Sequence, residues 1–438
     1  MKKPSSYLKK IRKCIHSQKF IRCYSRDTHS FVRQRIWGFP EVFVSIFHGL
    51  TQSLSVQIDT LFRAMGVQKI VSSKQAFSHA RQKLKYEGFI ALNDELVHSF
   101  YTVGDEKRYK GYRILSIDGS DIRLPNSPEI CREFGTHSSG MAMSSASILY
   151  DVMNHLTLDS QLGKCYANER TQAIMHLENL IRLEGGRLKR KTIVLFDRGY
   201  PSMHLLCFLQ KHQIDFVIRC AAQAFIKPVI AFSHSDATDD ILEIKLEELN
   251  KQNFLKLKPY FPDFKALDLR VIRLSRPKDK DLFLLTSLTH PEAFSTSDFE
   301  ELYHKRWGVE TQYNYLKTTM ELENFATKTA LGIRQEFYAT ILCANIYELI
   351  AEDAEEEYQA EQASKGKKDN TKINHRVAAG FVKNELIDLL YSDIPIETIY
   401  ARVLQKIKQN RVVSKPGRSF ERKVRHRRKF HQNNRTVS

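Results

Sequence analysis

Between residues 111 and 220 the chain sets short apolar runs and amphipathic stretches in an order that few architectures can use. YRILSID (112–118), SSASILYDVMN (144–154) and HLTLDSQLG (155–163) read as strands. NERTQAIMHLENLIRLEGG (168–186) reads as a helix with a Glu/Arg surface, closed by a Gly pair that suits a C-cap. KTIVLFD (191–197) is a strongly apolar strand running into RGYPS, where Pro201 suits a helix start. A helix over 202–212 and a further strand, IDFVIRC (214–220), complete the run. Three strands, helix, strand, helix, strand is the order of a mixed sheet, so the expected fold class is α/β.

The flanks differ in texture. Residues 1–110 read as helical and basic. Within 74–100, Phe77, Ala80 and Leu84, then Phe89, Leu92, Leu96 and Phe100, fall at helical spacing with a break at Glu87-Gly88. Such a pair serves either as a DNA reader or as a plain helical hairpin. Residues 221–290 form a β-leaning insert, with LEEL (246–249) as a helix fragment and ALDLRVIRLS (266–275) and DLFLLTSL (281–288) as strands. One long helix is expected over 297–325, capped by Ser297 with Glu300 completing a capping box. A helix over 338–363, a solvated linker (364–374) and two more helices lead to a tail from 411 with ten Arg or Lys and one acid, Glu421.

Composition narrows the partners. Of 438 residues 42% are hydrophobic, enough for a large core, and 68 Lys plus Arg against 50 Asp plus Glu leave a net charge of +18. That excess favours a polyanion, since each cation that neutralises a phosphate releases a condensed counterion; it does not separate DNA from RNA or an acidic membrane. The first twenty residues lack an apolar core of about 7–15 residues and are not expected to act as a secretory signal. YATILCANIYELIA (338–351) is too short, and too polar at Asn345 and Glu348, to span a membrane. The seven Cys are never spaced as CxxC, which disfavours zinc ribbons and a disulfide framework. There is no HExxH, no GxxxxGK[ST] and no GxSxG, so a zinc protease, an ATP-driven motor and a serine hydrolase lack support.

Three places carry candidate chemistry. Tyr303, Arg306, Glu310 and Lys317 sit at offsets 0, 3, 7 and 14. At about 100° per residue they share one helix stripe. That stripe is either a salt-bridged solvent face or a phosphate-binding ledge with Glu310 free for a metal. Asp118 ends the first strand and Asp197 ends the apolar one, so both carboxylates are held rigidly. With Glu310 they make an oxygen-rich set suited to hard divalent ions, and two ions about 3.5–4 Å apart would serve phosphoryl transfer. Asp121 is the alternative first acid, and Trp307 is expected to pack rather than stack on a base.

The spacing Tyr303-x2-Arg306-x3-Glu310-x6-Lys317 is similar to the Tyr-Arg-Glu-Lys signature of the insertion-sequence-4 family of DDE transposases. IDGSDIRLP and FDRGYPS resemble that family's first-Asp and second-Asp motifs, and QAFSHARQKL resembles the stretch preceding its catalytic domain. The match covers 74–325 in order. What the resemblance implies is a ribonuclease-H-like catalytic core interrupted by a β-rich insertion, with helical N-terminal and C-terminal regions. It divides the chain into a basic DNA-binding region (1–110), a first part of the core (111–220), the insertion (221–290), a second part with the signature helix (291–363) and a C-terminal region with a basic tail (364–438). On the same resemblance Asp118, Asp197 and Glu310 bind metal, Mg²⁺ with Mn²⁺ as a substitute. Tyr303, Arg306 and Lys317 contact DNA, both the terminal inverted repeats of a mobile element and the target duplex. The implied setting is a homodimer on DNA in a bacterial cytoplasm, associated with the nucleoid and with no membrane. A transposase-derived DNA-binding protein without catalysis, and a two-metal nuclease that does not join strands, remain the alternatives.

Overall fold

The computed structural model describes residues 3–32, 36–49, 58–59, 61–63, 66, 72–221, 225–249, 254–255, 257–262, 265–276, 280–366 and 370–413. The chain divides into two compact units, one of Met1–Gly104, Ile122–Ser144 and Asn314–Ser438, the other of Asp105–Asp121 and Ser145–Tyr313. Most of the basic tail lies outside the described residues.

The first unit is helical. A 35-residue helix, Ala330–Ser364, packs against the helices Lys3–His16, Phe39–His48, Glu87–Val103, His375–Tyr391 and Ile396–Gln409. The buried Arg81, closing the helix Lys74–Arg81, donates to Gln335 Oε1 at 2.7 Å, Glu336 Oε1 at 2.9 Å and the Gly332 carbonyl at 2.9 Å. The periodic apolar residues from Phe77 to Leu96 are buried as expected, while Phe100 is half-buried. The break falls before Glu87 rather than after it, because Gly88 is inside the helix, where a Cβ would meet Tyr24 at 3.3 Å. The expected solvated linker ends instead in a strand, Thr371–Ile373, paired antiparallel with Arg411–Val413.

The second unit holds nearly all of an eight-stranded sheet. Its strands are β1 (Arg113–Arg123), β2 (Met143–Asp151), β3 (Leu156–Lys164), β4 (Thr192–Phe196), β5 (Asp215–Cys220), β6 (Asp239–Lys245), β7 (Ala266–Leu274) and β8 (Leu282–Thr286). They lie side by side in the order β3-β2-β1-β4-β5-β8-β7-β6. β1, β4 and β5 are mutually parallel, and β5/β8, β8/β7 and β7/β6 are antiparallel. All five residues of β4 and all nine of β2 are buried, which is why TIVLF reads as a continuous apolar run and β2 is rich in Ser and Ala. The α/β class is borne out. The strands of segment 221–290 extend the same sheet from the β5 edge.

Candidate active site

Strand pairing places the two aspartates together. In the parallel pair β1/β4, Ser116 stands opposite Leu195. Two residues further along each chain come Asp118 and Asp197, the latter directly after β4 ends at Phe196. Carboxyl ends of adjacent parallel strands are where α/β sheets gather their ligands. The expectation that β1 stops at Asp118 is corrected, since β1 runs on to Arg123. Asp118 is half-buried and Asp121 is exposed.

The signature segment is not one helix. Ser295, not Ser297, caps the helix Thr296–His304, and Asp298 rather than Glu300 reaches back to the Ser295 N–H at 2.8 Å. A second helix, Trp307–Thr318, follows after a turn closed by i→i−3 bonds from Arg306 N–H to Tyr303 O (3.1 Å) and Val309 N–H to Arg306 O (3.2 Å). The single stripe of four residues is therefore broken at Arg306. Gly308 permits the second helix to approach, since a Cβ there would lie 3.3 Å from Val152 beyond the end of β2. The turn drives the Arg306 side chain inward until the residue is 4% exposed, and leaves Trp307 46% exposed, so Trp307 does not pack as expected.

Arg306 joins the acids. One guanidinium nitrogen lies 2.7 Å from Glu310 Oε1 and the other 3.8 Å from Asp118 Oδ2. Its buried Nε has no acceptor among the described residues. The guanidinium lies over the rings of Tyr303 (5.7 Å) and Trp307 (5.3 Å). The buried Tyr303 hydroxyl is 3.5 Å from Asp197 Oδ1, and Arg219 of β5 lies 3.9 Å from the same oxygen. Burial pushes the Asp118 carboxyl up to about 6; the Gly119 N–H, at 2.9 Å, and Arg306 pull against that shift, and Glu310 and Glu169 add to it. Five of the residues expected from sequence, Asp118, Asp197, Tyr303, Arg306 and Glu310, are thus linked into one cluster. Lys317, at the far end of the second helix, falls in the first unit, where its ammonium lies 3.6 Å from Glu323.

Sequence reading missed three residues. Glu169 opens the helix Glu169–Leu183 behind the cap Asn168, and a Cβ on Gly119 would lie 2.9 Å from one of its carboxylate oxygens. Its carboxyl is raised by burial first, then by Asp121 and Asp197. Tyr200, 1% exposed, has a hydroxyl with no partner among the described residues, and burial together with Asp118, Glu169 and Asp197 holds it protonated. Tyr313, on the same helix as Glu310, sets its hydroxyl 3.2 Å from the Asp118 carbonyl and 3.1 Å from that of Ala146. No local pattern marks Glu169 or Tyr313; Tyr200 stands in the motif FDRGYPS. Tyr313→Phe is expected to lower stability by about 1–2 kcal/mol in urea unfolding, because the one O–H shared between the Asp118 and Ala146 carbonyls is lost.

The three acids offer oxygen donors of the kind that hard divalent ions take. Among the described residues, no three side chains of metal-ligating type stand ready to hold an ion as they are. Arg306 is the counter-charge for two of the acids. Among the described residues no helix is long and apolar enough to cross a membrane.

A family model described as a transposase DDE domain matches residues 109–346, more than half of the chain. The chain belongs to that family. This DDE-family chain is 23% identical over 286 residues to the transposase InsG for insertion sequence element IS4 of Escherichia coli strain K12. The alignment covers 63% of this chain and 61% of the relative, less than two thirds of its length. The insertion-sequence-4 resemblance read from the motifs is borne out by the model and this relative. A cryo-EM structure of the piggyBac transposase synaptic complex with hairpin DNA is similar at 12% identity and a TM-score of 0.48, covering 94% of this chain and 87% of that one.

Proposed function

We propose that this chain is a DNA transposase that cuts at the ends of a mobile element and joins the freed strand to target DNA. The observation that carries the reading is the cluster itself: Asp118 and Asp197 at matched positions beyond the β1/β4 pairing, with Glu310 tied to Asp118 through Arg306. The strand order β3-β2-β1-β4-β5, with β1, β4 and β5 parallel, supports a ribonuclease-H-like core. On this reading residues 111–220 and 291–363 form the core, 221–290 are the insertion that widens its sheet, and 1–110 and 364–438 are the flanking DNA-binding and C-terminal regions.

Asp118, Asp197 and Glu310 would hold the divalent ion, Mg²⁺ first and Mn²⁺ as a substitute. When bound, the ion activates the attacking oxygen and offsets charge on the leaving one. Arg306, now the counter-charge of Glu310 and Asp118, is the cation that would meet a phosphate oxygen near the cut. Tyr303 orients Asp197 and lies against the backbone near the cut, and Lys317 holds a phosphate further along the helix. Water attack frees a 3′-hydroxyl, which then displaces a phosphodiester oxygen of the target. The partners are element-end and target duplexes, the working form is a homodimer on DNA, and the setting is the bacterial cytoplasm at the nucleoid.

The test uses labelled DNA from just outside this protein's own gene. Cleavage at a discrete end with Mg²⁺, abolished by EDTA, together with joined products in the same tube, is the expected result. Tight binding without cutting would leave a DNA-binding protein, and cutting without joining a nuclease.

A further inference from the structure

A line of polar side chains, half-buried at Asp159 and fully buried at His176 and Ser147, ends at the backbone of Asp118. Asp159 on β3 accepts from His176 Nδ1 at 2.6 Å and from Asn179 Nδ2 at 3.2 Å. His176, on the helix Glu169–Leu183, sets Nε2 2.9 Å from Ser147 Oγ of β2. Ser147 Oγ in turn lies 3.4 Å from the Asp118 carbonyl, the same oxygen that meets the Tyr313 hydroxyl. On a surface, Asp, His and Ser in this order would suggest an activated nucleophile. Here Ser147 and His176 are both 0% exposed, so no substrate reaches them. Four polar groups in a row occupy a layer where aliphatic residues would pack without hydrogen-bonding demands. His176 lies seven residues after Glu169, about two turns, so one helix face presents a carboxylate to Gly119 and an imidazole to Ser147.

We propose that Asp159, His176 and Ser147 are positioning residues for Asp118. They hold β1 at the point where it has outrun its pairing with β4, and thereby fix the direction of the Asp118 carboxylate. Asp159, acceptor only, takes the Nδ1 hydrogen and sets the ring so that Nε2 faces Ser147. Ser147 carries one hydroxyl hydrogen, so its bond to the Asp118 carbonyl requires that Nε2 donate to Ser147 Oγ as Nδ1 donates to Asp159, and the Tyr313 hydroxyl meets the same carbonyl. The inference rests on the reading of Asp118 as a metal ligand, and partners behind a ligand typically govern metal affinity by about 10–100-fold.

The experiment is a titration of the full chain with Mn²⁺ alone, free ion being read by electron paramagnetic resonance, with urea unfolding run in parallel. The variants are Ser147→Ala, Asp159→Asn and, as a control for stability, Leu177→Ala on the same helix. The expected result is Mn²⁺ affinity weakened about tenfold in Ser147→Ala and Asp159→Asn, and unchanged in Leu177→Ala despite its lower unfolding midpoint. Parental affinity in both polar variants, with only the midpoint lowered, would reduce the line to ordinary core structure and overturn the inference. Should Ser147→Ala not fold, Asp159→Asn decides alone. A parent chain that takes up no Mn²⁺, or takes it up equally as Asp118→Asn, would overturn the metal reading and this inference together.

Discussion

Replacing Glu310 by Gln is expected to reduce DNA cleavage by about 10³-fold, with DNA affinity within about threefold of the parent. The amide keeps the shape of the side chain and an oxygen that can still accept from Arg306, now at 2.7 Å from Glu310 Oε1, so the fold should hold. What disappears is one negative charge from the set of acids proposed to hold the ion. A bound ion supplies several kcal/mol of charge stabilisation in phosphoryl transfer, and about 4 kcal/mol corresponds to the stated factor. Single-turnover cleavage beside a gel-shift titration separates chemistry from binding. Cleavage within tenfold of the parent would remove Glu310 from the reaction, and an equal loss of binding would make it a structural anchor instead.

The largest expected effect on stability comes from an ion pair outside the cluster. Arg113 opens β1, is 0% exposed, and donates to Glu184 at 2.7 Å and to Thr192 Oγ1 at 3.2 and 3.0 Å. Thr192 is its partner across the β1/β4 pair, so this contact clamps the register that sets Asp118 beside Asp197. Glu184→Ala leaves a buried guanidinium without its carboxylate. Removing one partner of a buried pair costs about 3–5 kcal/mol, and the low end applies because Thr192 Oγ1 remains as an acceptor. Urea unfolding should show the loss, and Glu184→Gln should recover part of it by keeping an oxygen. A change below about 1 kcal/mol in Glu184→Ala would show that Thr192 alone satisfies Arg113. Cleavage by the folded fraction is a second readout, since a slipped β1 register would separate the two aspartates.

Much of this was legible in the residues. The apolar runs at 112–118, 191–197 and 214–220 are strands because a sheet buried on both faces demands unbroken hydrophobic side chains, and that demand is written locally. The helices expected over 168–186 and 202–212 form as Glu169–Leu183 and Met203–Lys211; their caps, Asn168 and Ser202, whose side chains accept from first-turn N–H groups, fall within the stretches expected to be helical. The identity and order of Asp118, Asp197, Tyr303, Arg306, Glu310 and Lys317 stand in the sequence as motifs, and so does membership of the DDE family over 109–346.

Only the tertiary structure decided how those residues meet. Periodicity extends a helix through Arg306, whereas the approach of Gly308 to Val152 and the i→i−3 turn break it there and bury the guanidinium between two acids. Glu169, Tyr313 and the line Asp159–His176–Ser147 gain their places from strands and helices up to 195 residues away in the chain, as with Tyr313 and the Asp118 carbonyl. The same holds for β6, β7 and β8, whose patterns mark strands or loops but not the sheet they join, and for the pairing of Thr371–Ile373 with Arg411–Val413. The sequence by itself determined most of the strands and helices that carry the cluster and which acids are present, because caps and periodicity act within a few residues. Which elements become neighbours, and therefore which charges face one another across the cluster, is set by burial and hydrogen bonding between distant segments.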